Sequence, residues 1–272
     1  MVKIKDFRNE YDYKKVNKID VDLLIMHIFS LTKNDIILGD KEIDEKNPLF
    51  IEGLKRLEND EPISYITGTR EFMGLDFSVN SSTLIPRPDT EILVEAVLSL
   101  TEGKTAKILD IGCGSGCIGI SLAYYNNNVH ITEIDISKDA LDTAKENAIK
   151  NGVSDRISFI NMDILSDFPT EEFDILVSNP PYIKSDVVLT LEKNVRDFEP
   201  LTALDGGDDG LIFYKRIIEN EKIKNNGYIA FEIGYDQGTE VTSLLEKSGK
   251  FGEITLLKDL AGNDRVVMAE KL

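Results

Sequence analysis

Asn179-Pro180-Pro181-Tyr182 closes an apolar run, Phe173 to Val177, with four residues suited to gripping a planar amide or amino nitrogen. Such a nitrogen is a weak nucleophile, because its lone pair is delocalised into a carbonyl or a ring. A catalyst must hold it where that pair faces an electrophile. Asn179 brings a side-chain oxygen as acceptor, and Pro180 a backbone carbonyl on a residue with no N–H to compete. Each proline fixes its own φ and biases the preceding residue toward extended geometry, so the acceptors need little ordering. Tyr182 adds a flat face for stacking. The competing reading is a plain strand-to-loop turn, since Asn-Pro and Pro-Pro punctuate loops in many chains.

A second constellation is Leu109-Asp110-Ile111-Gly112-Cys113-Gly114-Ser115-Gly116, where an apolar strand hands over to a helix. Ligands of open α/β sheets bind at such carboxyl ends, and glycines let a ligand approach the backbone. Gly114 to Gly119 also fits G-x-G-x-x-G, which keeps a nicotinamide-dependent oxidoreductase open. Asp110 weighs against it, because a carboxylate there suits a cationic amino-acid ammonium and repels a pyrophosphate. Asp135 closes the next strand, at the distance where an acid holds ribose hydroxyls; Glu133, on the same face, is a rival farther from the strand end. Asp163, after Ile157 to Ile160, is placed to accept from an exocyclic adenine amine, with Ile164 packing on the ring. Singly, each acid reads better as a helix cap or an exposed strand end. Together, at three successive strand ends, they favour S-adenosylmethionine as the cofactor. Cys113 and Cys117 are expected to pack as small side chains.

These residues need a sheet to position them. From Lys107 onward, strand and helix patterns alternate: Lys107 to Ile111, a helix after Gly116, Val129 to Ile134, Lys138 to Lys150 as helix, Ile157 to Ile160 and Phe173 to Val177. This predicts an α/β fold, a parallel sheet covered by helices on both faces. Glu253 to Leu257 and Arg265 to Ala269 are too close for a parallel crossover and predict a terminal antiparallel hairpin. The first eighty residues read instead as short helices, at Asp20 to Phe29, after Asn47-Pro48 and at Pro62 to Ile66. Phe72, Leu75, Phe77 and Val79 around Gly74 suggest a hairpin, and Asp89 suits the cap of a helix carrying Leu93 and Val97. The boundary is placed near residue 82, giving domains 1–82 and 83–272.

Composition removes several classes of function. No apolar stretch approaches the roughly 20 residues that cross a bilayer, and Met1 to Asp6 lacks a signal-peptide core, so cytoplasm is the expected location. Two cysteines and two histidines, without convincing carboxylate spacing, favour neither a disulfide framework nor a metal site. A net charge of −18 argues against stable nucleic-acid binding. It therefore disfavours an N-methyltransferase acting on an exocyclic base amine, which would share Asn179 to Tyr182 but need a basic groove. A non-enzymatic module that binds the cofactor and a protein loop without modifying it is a further alternative.

Leu84 to Glu91, the Asp110 to Gly116 loop, Asp135-Ile136-Ser137, Val177 to Ile183, and Glu199-Pro200 through Gly206 to Leu211 resemble the peptide-chain release factor glutamine methyltransferases, the PrmC/HemK family. The match is ordered and covers most of the chain. It implies a small helical N-terminal domain, a linking β-hairpin and a Rossmann-like seven-stranded methyltransferase domain. It also implies methyl transfer from S-adenosylmethionine to the side-chain nitrogen (N5) of glutamine in the Gly-Gly-Gln loop of release factors. The matching positions assign Asn179 and the Pro180 carbonyl, with Pro181, to the glutamine amide, and Tyr182 to packing beside it. They assign Gly112, Cys113, Gly114, Ser115, Gly116, Asp135 and Ile164 to the cofactor, with Asn179 shared between the two sites. The N-terminal domain is expected to grip the release factor, and the protein to act as a monomer away from any membrane. Arg87 reads equally as a contact near the substrate loop or as a linker salt bridge, and Asp205 to Gly210 as a structured turn before a helix near Leu211.

Overall fold

A computed structural model describes residues 1–272, which divide into two compact units. The first comprises Met1–Thr69 and the returning segment Glu192–Phe198. It holds a two-stranded ribbon of β1 (Val2–Lys3) with β2 (Glu42–Ile43), and helices α1 (Ile4–Glu10), α2 (Lys18–Phe29), α3 (Lys33–Leu38), α4 (Pro48–Glu58) and α5 (Ile63–Thr67). Asn47 Oδ1 accepts from the N–H groups of Leu49 and Phe50, with Pro48 at the first helical position, as the Asn-Pro pair predicts. A capping box of Thr32 and Asp35 starts α3. Ile4, Val21, Leu24, Ile25, Ile43 and Phe50 are fully buried and form this unit's core.

The second unit, Arg70–Leu191 with Glu199–Leu272, opens on the hairpin β3 (Thr69–Phe72) and β4 (Leu75–Ser78). There follow α6 (Glu91–Thr101), β5 (Ala106–Ile111), α7 (Cys117–Tyr125), β6 (Val129–Asp135), α8 (Lys138–Lys150), β7 (Ile157–Asn161) and β8 (Phe173–Ser178). The short helix α9 (Ser185–Val188), and then α10 (Lys193–Arg196) in the segment that returns to the first unit, precede α11 (Ile212–Asn220), β9 (Ile223–Glu232), α12 (Gly238–Ser248), β10 (Phe251–Lys258) and β11 (Asp264–Lys271). The seven strands lie in the order β10-β11-β9-β8-β5-β6-β7. All neighbours are parallel except β11, which runs against β9 and against β10, so the expected terminal hairpin is present.

Alternation along the central strands sends side chains into two cores. Ile108, Ile131, Ile175 and Val177 pack with Leu93 and Val97 of α6 and Ile120 of α7. Leu109, Ile111, Leu176 and Phe231 pack on the other face with Tyr214 and Ile217 of α11 and Leu245 of α12. The chain leaves β5 toward β6 and β7, then returns to β8 on the other side of β5. At such a reversal the outgoing loops part and leave a crevice at the carboxyl ends.

The hairpin belongs with the sheet rather than with the N-terminal helices, so the division falls at residue 69 and not near 82. Phe72 and Phe77 are buried in the same core as Leu93 and Val94. Asn147 of α8, itself fully buried, donates to the carbonyls of Ser78 and Ser115 at 2.9 Å each and accepts from Ser78 N–H at 2.7 Å. One carboxamide thus joins the hairpin, a helix and the glycine loop. Asp89 does not cap α6 by a side-chain bond: Pro88–Thr90 forms a 3-10 turn instead, and Asp89 lies 3.4 Å from Arg265. Asn147→Ala orphans the buried Ser115 carbonyl and two half-buried backbone groups of Ser78 and is expected to lower stability by about 2–4 kcal/mol, read as a lower urea midpoint at unchanged slope.

Candidate active site

The glycine loop is tied down by the strand beside it. Gly112 and Cys113 N–H both donate to the Ile134 carbonyl, at 2.8 and 3.1 Å. Gly114 N–H donates to Asp135 Oδ2 at 2.9 Å, and Ser137 N–H to Oδ1 at 2.8 Å. Burial raises the Asp135 carboxyl above its ordinary range, and these N–H groups oppose the rise. Gly112 and Gly114 take left-handed φ of 75° and 56°, and a Cβ built on either meets nothing within 4 Å. That open side is where a ligand can touch backbone.

The loop borders a cavity of about 470 Å³ at the carboxyl ends of β5, β6 and β8. Its wall brings together Gly112, Gly114, Asp135, Asp163, Ile164, Asn179, Pro180 and Pro181, eight of the residues singled out from sequence. The volume and the mixture of apolar wall and few polar groups suit a nucleoside-sized ligand. Asp163 Oδ1 also accepts from Leu165 N–H at 2.9 Å, which fixes the turn after β7. Ser82, Leu84, Pro200 to Ala203, Ile212 and Phe213 are also part of the wall. No periodic signal marked these, and only the Leu84 and Glu199-Pro200 segments were noted, through the family resemblance.

Five expected residues lie elsewhere. Asp110, read as a partner for a cationic ammonium, is fully buried beneath the loop and accepts from Gly119 N–H at 3.1 Å. Cys113 packs on Leu141, Ala144 and Phe159, and burial raises its thiol well above the usual range. Ser115 is buried, with its carbonyl held by Asn147. Gly116, at φ 78°, is required by packing, since a Cβ would come within 3.0 Å of Glu133 Oε2 and closer to Ile120. Tyr182 packs against the core near Tyr214 and Phe231 rather than on the cavity wall, and burial followed by the Glu232 charge pushes its hydroxyl up to about 12. Of the two readings of Arg87, the geometry has the ion pair: its Nη2 meets Glu199 Oε1 at 2.5 Å, and Glu199 Oε2 accepts from Ile85 N–H at 3.3 Å.

Asn179 Nδ2 donates to Thr90 Oγ1 at 3.3 Å. Its Oδ1 and the Pro180 carbonyl accept no hydrogen bond from within the chain, so two consecutive residues of the cavity wall each carry an unengaged acceptor. A doubly wound sheet with such a crevice, an open glycine loop and an acid closing the next strand defines a Rossmann-like S-adenosylmethionine-dependent methyltransferase. Consistent with that class, the family described as methyltransferase small domain matches residues 87–195. The hMettl16 catalytic domain in complex with MAT2A 3'UTR hairpin 6 shares the fold, with a TM-score of 0.60 over 96% of this chain and 95% of that one at 19% identity. A release factor glutamine methyltransferase of Clostridium botulinum is 43% identical over 265 residues, covering 93% of this chain and 92% of the relative. Another, of Flavobacterium psychrophilum, is 41% identical over 282 residues, covering 97% and 98%. The chain belongs to the release factor glutamine methyltransferase family.

Asp110 and Glu133 are direct neighbours on β5 and β6, both fully buried. Asp110 Oδ1 and both Glu133 oxygens have no hydrogen-bond partner. Burial first, and then the Asp135 charge, lifts Asp110 to about 7 against the pull of the Gly119 N–H, while burial first, and then the Asp110 charge, lifts Glu133 well above its ordinary value. The folded state therefore binds more protons than the unfolded chain, whose carboxylates titrate near about 4. Stability from this pair is fully present below that range and is lost as pH rises through about 7. Glu133→Gln is expected to raise the melting temperature at pH 8 by several degrees, at about 2–4 °C per kcal/mol, with the gain shrinking toward pH 5. Equal melting temperatures at both pH values would show that the pair carries no such charge.

Proposed function

We propose that this chain methylates the side-chain amide nitrogen of the glutamine in the Gly-Gly-Gln loop of peptide-chain release factors, in the cytoplasm and as a monomer. The observation that carries the reading is the pair of unengaged acceptors, Asn179 Oδ1 and the Pro180 carbonyl, on the wall that also holds the open glycine loop. A primary amide has two N–H donors in one plane. Engaging both orients the plane, so the π-face of nitrogen, and not its edge, looks into the cavity. The same contacts draw positive charge off nitrogen as it develops during attack. A hydroxyl has one proton to offer and leaves one acceptor empty, so the pair also selects for a nitrogen nucleophile.

The chain's residues fit the cofactor. Gly112 and Gly114 present backbone with free space above it, Asp135 stands at the strand end to take ribose hydroxyls, and Asp163 with Ile164 suits the adenine edge and face. S-adenosylmethionine, when bound, supplies an electrophilic methyl group on a positively charged sulfur. Once alkylated, the amide nitrogen becomes acidic, and its proton passes to the carbonyl acceptors or to solvent; no strong base is needed before attack. The first compact unit, residues 1–69 with 192–198, is assigned to gripping the body of the release factor.

Incubation with labelled S-adenosylmethionine and purified release factor, followed by peptide mapping, is expected to place the label on the Gly-Gly-Gln glutamine. Label found only on added nucleic acid would sink the proposal. Asn179→Ala is expected to lower turnover by about 100-fold or more while leaving affinity for S-adenosylhomocysteine within about 2-fold. Asp135→Ala should do the converse, weakening that affinity by about 10-fold or more, as titration calorimetry would report.

A further inference from the structure

Beside Asn179 lies a carboxylate that the chemistry above leaves unused. Glu232 ends β9, one step beyond the register pair Ser178–Phe231, so it and Asn179 stand next to each other at neighbouring strand ends. Glu232 is 2% exposed, and its Oε2 has no partner. Thr90 and Asn179 both offer it side-chain hydrogen bonds. The groups facing it from the surrounding elements are Arg265 on β11, Asp89 and Thr90 on the 3-10 turn, Tyr182 after β8, Tyr214 on α11 and Cys117 on α7. Arg265 is the one cation among them, and it is shared with Asp259 at 3.0 Å and Asp89 at 3.4 Å. The Tyr214 hydroxyl is already spent on the Glu232 backbone carbonyl, at 2.8 Å.

We propose that Glu232, directly and through Thr90, is the positioning residue that decides which way round the Asn179 carboxamide sits. This rests on the reading of Asn179 as the acceptor for the substrate amide. The oxygen and nitrogen ends of a carboxamide are nearly the same shape, so packing alone does not choose between them. Hydrogen-bond polarity does. Thr90 Oγ1 accepts from Asn179 Nδ2, and its single proton is then free to go to Glu232, which in its ionised form can only accept. With the chain polarised in that direction, Asn179 Oδ1 is left for the substrate. Reversing the carboxamide would set an NH2 group against the substrate's own NH2.

Protonation of Glu232 removes the polarity. The acid can then donate to Thr90, whose proton turns toward Asn179 and stabilises the reversed carboxamide. Burial lifts Glu232 to about 7, against the pull of Thr90 and Arg265, so this change falls within the working range of an enzyme.

The test measures kcat and KM for release factor from pH 5.5 to 9, with S-adenosylhomocysteine affinity by calorimetry, for wild type, Glu232→Gln, Thr90→Val, Thr90→Ser and Asn179→Ala. Glu232→Gln and Thr90→Val are expected to lower kcat by about 10- to 100-fold with KM and cofactor affinity within about 2-fold, and Thr90→Ser to recover most of the loss. Wild-type kcat should fall below pH about 7, and Glu232→Gln should lack that acid limb. If Asn179→Ala keeps its turnover, the reading of Asn179 itself is wrong. If Asn179→Ala is inactive while both Thr90→Val and Glu232→Gln match wild type, or if Glu232→Gln keeps the acid limb, only the positioning role is overturned. Should Glu232→Gln fail to bind S-adenosylhomocysteine, the two Thr90 variants decide.

Discussion

Three backbone N–H groups of the glycine loop end on one neighbouring strand: Gly112 and Cys113 on the Ile134 carbonyl, and Gly114 on the Asp135 carboxylate. The cofactor side of the crevice depends on that attachment. It holds the loop off the cavity, so that its left-handed glycines show their open side to a ligand. It also sets where α7 begins, and with it the Gly119 N–H that meets Asp110. Asp135 consequently has two tasks. Its oxygens already serve Gly114 and Ser137, and in the proposed cofactor mode a ribose hydroxyl would use the lone pairs that remain. Asn147 secures the far end of the same loop through Ser115, and extends the frame to the hairpin through Ser78.

The substrate side is made from different parts of the chain. β8 and β9 supply Asn179 and Glu232, while the segment Ile85 to Thr90 is pinned across them by Arg87 to Glu199 and by Thr90 to Asn179. The reversal of strand order between β5 and β8 is what lets two independently built walls face one cavity. A donor held by one wall and an acceptor held by the other can be aligned without either wall deforming. Alignment of that kind is worth more to a weak amide nucleophile than any single contact.

Strand ends were legible from sequence because apolar runs stop where the sheet stops, and Asp135, Asp163 and Asn179 all sit at such stops. Depth was not legible. Asp110 stands one residue before the end of β5, and in a sheet covered on both faces that single step takes a carboxylate from cavity to core. Tyr182 fails for a related reason: two prolines fix the backbone path but not the direction of the ring that follows. The packing side of the hairpin was not legible either, because its apolar residues say that it is buried, and only contacts with Leu93 and Val94 say against what. Thr90 and Glu232 gave no local signal, since their meaning lies in being next to Asn179, which is far along the chain from both.

Asp110, Glu133, Asp135 and Glu232 form a concentration of buried acids around one site, each with its carboxyl raised by burial. Such groups cost stability at neutral pH, and a fold selected only for stability would replace them with apolar side chains. Glu133, raised well above its ordinary value, is neutral near pH 7, so the negative potential near the glycine loop and the proposed substrate acceptors comes from the ionised fraction of Asp110, Asp135 and Glu232. That field favours a positively charged sulfonium donor over the neutral thioether it becomes. The difference lies in the affinity for the two forms, so it helps the spent cofactor leave while also stabilising the charged reactant. A field alone therefore does not speed the transfer. The acceleration has to come from groups that gain in the transition state, and on the proposed reading these are the two acceptors that would meet the amide as its nitrogen loses electron density.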